Sequence, residues 1–145
     1  ETNEVSTIWS DEKIYLQNAV LSPDGKTILY AAVPIAFENG MISQASLFVA
    51  SFDGTKLSDS RVLQKVANVR QVRFSPDGKS LLYIEVENDG ADIYRLSLND
   101  GKTSKITNFN LESLFRFTTS ADGKKIYLVR GTNNREVVLI KNEAK

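Results

Sequence analysis

Ser22-Pro23-Asp24-Gly25-Lys26, Ser75-Pro76-Asp77-Gly78-Lys79 and Ser120-Ala121-Asp122-Gly123-Lys124 are three copies of one phrase in a chain of 145 residues. Self-similarity at such a spacing marks an array of small units that bury their faces against neighbours. Proline at the second position presets φ, Asp follows, and Gly takes the positive φ that closes the turn. Apolar residues flank every copy. Val20 and Leu21 precede the first, and Ile28, Leu29 and Tyr30 follow it. Val72 and Phe74 precede the second, and Leu81, Leu82 and Tyr83 follow it. Phe115 and Phe117 precede the third, and Ile126, Tyr127 and Leu128 follow it. Two apolar runs around a tight turn read as a β-hairpin. The third copy lacks the proline, and its tyrosine comes one position early, so its hairpin is expected to be the least rigid.

A second phrase extends each hairpin into a sheet. Ala45-Ser46-Leu47-Phe48-Val49-Ala50-Ser51-Phe52 aligns with Ala91-Asp92-Ile93-Tyr94-Arg95-Leu96-Ser97-Leu98, and glycine turns follow at Gly54 and Gly101. A third version is Glu136-Val137-Val138-Leu139-Ile140. Short fourth strands are expected over Arg61 to Lys65 and Ser104 to Thr107. Ile28-Leu29-Tyr30-Ala31 is apolar on both alternating faces, which means burial on both sides of the sheet. Four-stranded sheets sandwiched between like sheets are propeller blades. The expected fold is therefore all-β, with three four-stranded propeller-type blades.

One domain is the natural count for this length. Its expected layout is a leading outer strand in 1–10, blade 1 in 14–66, blade 2 in 67–108, and blade 3 in 109–145 without its outer strand. Val5, Thr7, Ile8 and Trp9 carry the leading strand. An N-terminal strand of this kind completes the last blade and latches a ring. Three blades are too few to close one. Two chains would give six, each leading strand completing the partner's third blade. A piece of a longer chain, or an open three-blade monomer, accounts for the same count. The start at Glu1 without methionine reads as a processed or excised piece.

Eighteen basic and eighteen acidic residues cancel, so no bulk field favours nucleic acid or a membrane surface. No apolar run reaches the ~20 residues of a membrane helix. The chain has no cysteine and no histidine. That removes disulfides, thiolate nucleophiles, Ser-His-Asp catalysis and the commonest transition-metal ligand. No Walker-type phosphate loop is present. No cofactor, no metal and no catalytic residue is expected.

Ser-Pro-Asp-Gly-Lys followed by an apolar-apolar-Tyr strand resembles the WD40-like (PD40) repeats of TolB-type β-propellers. Similar repeats occur in the propellers of prolyl-oligopeptidase relatives and in sensor parts of bacterial regulators and kinases. The resemblance runs from about Asn18 to Ile140, and Val137-Val138-Leu139-Ile140 is similar to a last repeat. It implies half of a six-bladed propeller and a non-enzymatic module for protein–protein interaction or sensing. It also implies a bacterial, extracytoplasmic (periplasmic) setting and a protein or peptide partner. Alternatives are a gating propeller of a prolyl-oligopeptidase-like hydrolase and the C-terminal sensor part of a regulator or kinase.

Candidate surfaces follow from departures within the repeat. The stretch between Tyr30 and Ala45 is longer than that between Tyr83 and Ala91. It carries Ile35, Phe37, Met41 and Ile42, which read either as a partner contact or as a loop folded onto its own blade. Phe109 and Leu111, in the crossing Asn108 to Ser113, either join that patch or plug the joint between blades. Arg70, Arg73 and Arg116 lie around first strands, which line a propeller's channel. There they either meet an anionic ligand or stay solvated and ion-paired. Trp9 reads as an interface anchor. The acidic turns Glu87-Asn88-Asp89-Gly90 and Asn99-Asp100-Gly101 lack the length and alternation of a calcium loop and read as hairpin turns. Asp24, Asp77 and Asp122 read likewise.

Overall fold

The computed structural model describes residues 5–34, 45–66, 68–87, 90–109 and 113–132, and these form an all-β structure without helices. The first sheet holds β1 (Ile14–Leu21), β2 (Thr27–Pro34), β3 (Ala45–Phe52) and β4 (Leu57–Val66) in that order. The second holds β5 (Val69–Phe74), β6 (Ser80–Glu87), β7 (Gly90–Ser97) and β8 (Thr103–Lys105), again in sequence order. A third sheet pairs β9 (Ser113–Thr119) with β10 (Ile126–Gly131). Every pairing is antiparallel. The third version of the strand phrase, Glu136 to Ile140, lies outside the described residues. The sheets do not close into a ring, and the architecture is a partial propeller.

The repeated phrase makes the same turn three times. Gly25, Gly78 and Gly123 donate their N–H to Ser22, Ser75 and Ser120 O at 2.9, 2.9 and 3.0 Å. Each serine hydroxyl donates to the aspartate two residues on at 2.6 Å. Each aspartate also accepts the N–H of the lysine that follows the glycine. The serine hydroxyl first, then that backbone N–H, hold Asp24, Asp77 and Asp122 below the ordinary 3.8. The third turn keeps this full bonding pattern without its proline.

The prolines also act between sheets. A Cβ placed on Gly78 would lie 3.6 Å from Pro23 Cδ, and one on Gly123 would lie 3.6 Å from Pro76 Cδ. Each proline thus packs against the glycine of the next turn, where φ near +69° already favours glycine.

The core lies between sheets. One cluster joins Leu29, Ala31 and Leu47 of the first sheet to Val72, Leu81 and Tyr83 of the second. Another joins Leu82, Ile84 and Ile93 of the second to Leu114 and Phe117 of the third. β6 feeds both, with alternate residues facing opposite neighbours, as expected for a strand buried on two sides. Each large side chain so buried contributes about 1.5–3 kcal/mol. The far face of the first sheet carries a smaller cluster of Tyr30, Ala32 and Ala50.

Two expected strand bounds change, and in the single chain the leading segment is unpaired. Residues 5–10 form no strand. Val5 is 98% exposed, Thr7 and Ile8 are exposed, and only Trp9 is held, its ring 5.3 Å from that of Tyr30. The aromatic contact with the chain's own first sheet, rather than a backbone ladder, fixes this segment. β4 is longer than Arg61 to Lys65 and carries two register irregularities opposite β3. β8 stops at Lys105, because the Thr107 hydroxyl turns inward, accepting Ile93 N–H and donating to Asp92.

Candidate functional site

The first strands of the three sheets, β1, β5 and β9, come together around one cleft of about 360 Å³. Each of these strands carries one β-bulge. On β1 the pairing slips between Gln17 and Val20, with Asn18 at φ 52°. On β5 the extra residue is Arg70, and on β9 it is Phe115. A bulge re-aims the side chain it inserts and is over-represented beside functional sites. Here Asn18, Ala19, Arg70 and Phe115 all line the cleft.

Arg73 and Arg116 line it too, so the three arginines singled out from the sequence share one space. No carboxylate stands among its lining residues. Arg70 Nη1 makes a long contact, 3.5 Å, to Leu114 O, using one of its five donors. Gln71, beside them, is occupied: its Nε2 donates to Phe117 O at 3.1 Å and its Oε1 accepts Phe117 N–H at 2.9 Å. The side-chain amide thus pairs with the backbone of the next sheet. Nothing in the sequence around Gln71 announces this, because the signal is the spacing between sheets.

Phe109 stands elsewhere. It packs half-buried on the cluster between the second and third sheets, with the Arg130 guanidinium 4.8 Å from its ring centroid. Its ring sits in the joint between these sheets, in the position of a plug. Asp92 anchors the chain leading to it. The carboxylate accepts from Thr107 Oγ1 at 2.8 Å, Phe109 N at 2.9 Å and Lys105 Nζ at 2.7 Å. Burial pushes the Asp92 carboxyl up, but these donors, led by Lys105, outweigh it and hold the group below 3.8. The same contact lifts Lys105 above 10.5. Ile35, Phe37, Met41, Ile42 and Leu111 lie outside the described residues.

Among the described residues no three His, Cys, Asp or Glu side chains come together to hold a metal. Among the described residues no helix is long and apolar enough to cross a membrane, which says nothing of β-barrels.

No family model matches the chain. Solved structures do match. TolB from Acinetobacter baumannii superposes over 81% of this chain and 27% of its own, with a TM-score of 0.59 and 25% identity. A protein assigned as TolB from Agrobacterium tumefaciens covers 74% of this chain and 35% of its own, with a TM-score of 0.54 and 27% identity. A prolyl endopeptidase, at 20% identity and a TM-score of 0.58 over 85% of this chain and 20% of its own, shows the fold alone. The chain spans well under half the length of these relatives. Its fold is that of a TolB-like β-propeller, in part.

Proposed function

We propose that this chain is a non-enzymatic propeller module that works by protein–protein contact or sensing, in an extracytoplasmic setting. One observation carries the reading. Tyr127 and Val129, on the outward face of the third sheet, are 55% and 60% exposed. The corresponding face of the first sheet is buried by the second, and that of the second by the third. The third sheet therefore presents a face shaped to receive another sheet. A second copy supplies one: the far face of its first sheet carries Tyr30, stacked 5.1 Å from Phe48 and capped by Trp9. The absence of histidine and cysteine from the whole chain supports the non-enzymatic part.

Light scattering across a dilution series tests it. A mass near twice 16.1 kDa that falls to the single-chain value in Tyr127→Arg supports docking at this face. A wild-type chain that stays monomeric at every concentration overturns the self-completing form. Turnover of peptide substrates by the purified chain overturns the non-enzymatic one.

A further inference from the structure

The described residues offer several features that the proposed docking face does not use. The cleft of about 190 Å³ beside Ser75, Pro76, Asp77, Asp122 and Gly123 also takes in Arg95, but its two carboxylates are each already bonded within their own turn. The Asp92–Lys105 pair is internally satisfied. The arginine cleft is different, because its charges lack complementary groups.

We propose that the cleft between β1, β5 and β9 binds a small ligand bearing two or more oxyanion groups, carboxylate or phosphate. Three guanidinium groups line it and no carboxylate does. Arg73 and Arg116 make no ion pair among the described residues. Like charges around one cleft repel, and an anion there relieves the repulsion while gaining charge-assisted hydrogen bonds. The planar guanidinium fork matches carboxylate and phosphate geometry, which favours oxyanions over simple halides. The three bulges are a second, independent feature. Bulged strands depart from the regular ladder at a cost in pairing, and here all three departures deliver side chains to the same space. Val20 and the exposed ring of Phe115 add apolar surface beside the arginines, and a cleft of this size holds a compact ligand with two oxyanion groups rather than a lone ion. Its volume, about 360 Å³, lies in the range of small-molecule sites. All lining residues come from one chain, so the site does not depend on the docking face proposed above.

The test is calorimetric titration of the 145-residue chain with citrate and, separately, with pyrophosphate, against sodium chloride at matched ionic strength. Saturable binding of either ligand beyond the salt control is expected, and the preferred one identifies the source of the oxyanion. Arg73→Ala and Arg116→Ala should each weaken it about tenfold or more. Arg61→Ala, on exposed β4, should leave it unchanged. Because truncation can perturb folding, amide chemical shifts of the unaltered chain provide a second reading. Shifts should concentrate at Asn18, Arg70 and Phe115. Absence of saturation with both ligands, equal weakening by Arg61→Ala, or shifts spread evenly over exposed basic residues would overturn the proposal.

Discussion

Leu82 and Tyr127 hold the same place after the repeated phrase, in the second and third sheets, and meet opposite fates. Leu82 is 2% exposed in the joint with the third sheet, whereas Tyr127 is 55% exposed. The contrast repeats at other matched positions. Gln71 pairs its amide with Phe117, while its counterpart Arg116 borders the open cleft. Pro76 packs against Gly123, while its counterpart is Ala121. The second sheet carries Leu, Gln and Pro where it meets a neighbour. The third carries Tyr and Arg, which tolerate water better than Leu and Gln, and an Ala that gives up the proline's contact. The side chains of a blade are thus chosen for the surface each face meets as much as for the blade itself.

The largest effect should come from the buried member of the first pair. Leu82→Ala is expected to cost about 2–5 kcal/mol in chemical denaturation. Tyr127→Ala in the monomeric chain should stay within about 0.5 kcal/mol of the parent. Equal losses would mean that the third sheet's outward face is covered after all. Next comes the amide. Gln71→Ala leaves the N–H and C=O of buried Phe117 unpaired, at about 1–3 kcal/mol. Hydrogen exchange should speed selectively at Phe117, and Arg116→Ala should leave that amide protected.

Asp92 sharpens the comparison through pH. Its folded carboxyl lies below the ordinary 3.8, so its contribution is present above that value and lost as pH falls through the folded one. Asp92→Asn should therefore lower stability at neutral pH and flatten the acid limb of the stability curve. A variant that keeps the parent's acid limb would show that other carboxylates set it. Lys105, raised above 10.5, contributes below that value and loses its part as pH rises through the folded one. The smallest effect belongs to the turn. Ala121→Pro should raise stability by about 0.4–1 kcal/mol, read as a higher Tm, since the third turn already has the bonding of the other two. Pro76→Ala should lose that gain and its contact with Gly123 as well.

Much of this was legible in the chain. The phrase Ser-Pro-Asp-Gly-Lys names its own turn, because proline, aspartate and glycine each satisfy one local backbone demand. The doubly apolar run Leu81-Leu82-Tyr83-Ile84 announces a strand covered on both faces. The arginines were visible as candidates from their place beside first strands. The bulges that gather them were not, since a slipped register leaves no mark in residue type. The leading segment Val5-Ser6-Thr7-Ile8-Trp9 has strand composition, yet within the single chain it rests on the ring contact of Trp9 with Tyr30 instead of a ladder.

By itself, then, the sequence determined what is local and periodic: turns, strand order, and which strands must be buried twice. The tertiary structure alone decided which neighbour each face meets. A shift of one position turns a strand residue to the other side of its sheet, so Tyr127 faces outward while Tyr83 is sealed between blades. Only the stacked sheets reveal that Gln71 completes a neighbour's backbone, that Pro23 and Pro76 each rest on the glycine of the next turn, and that three bulges open onto one cationic cleft.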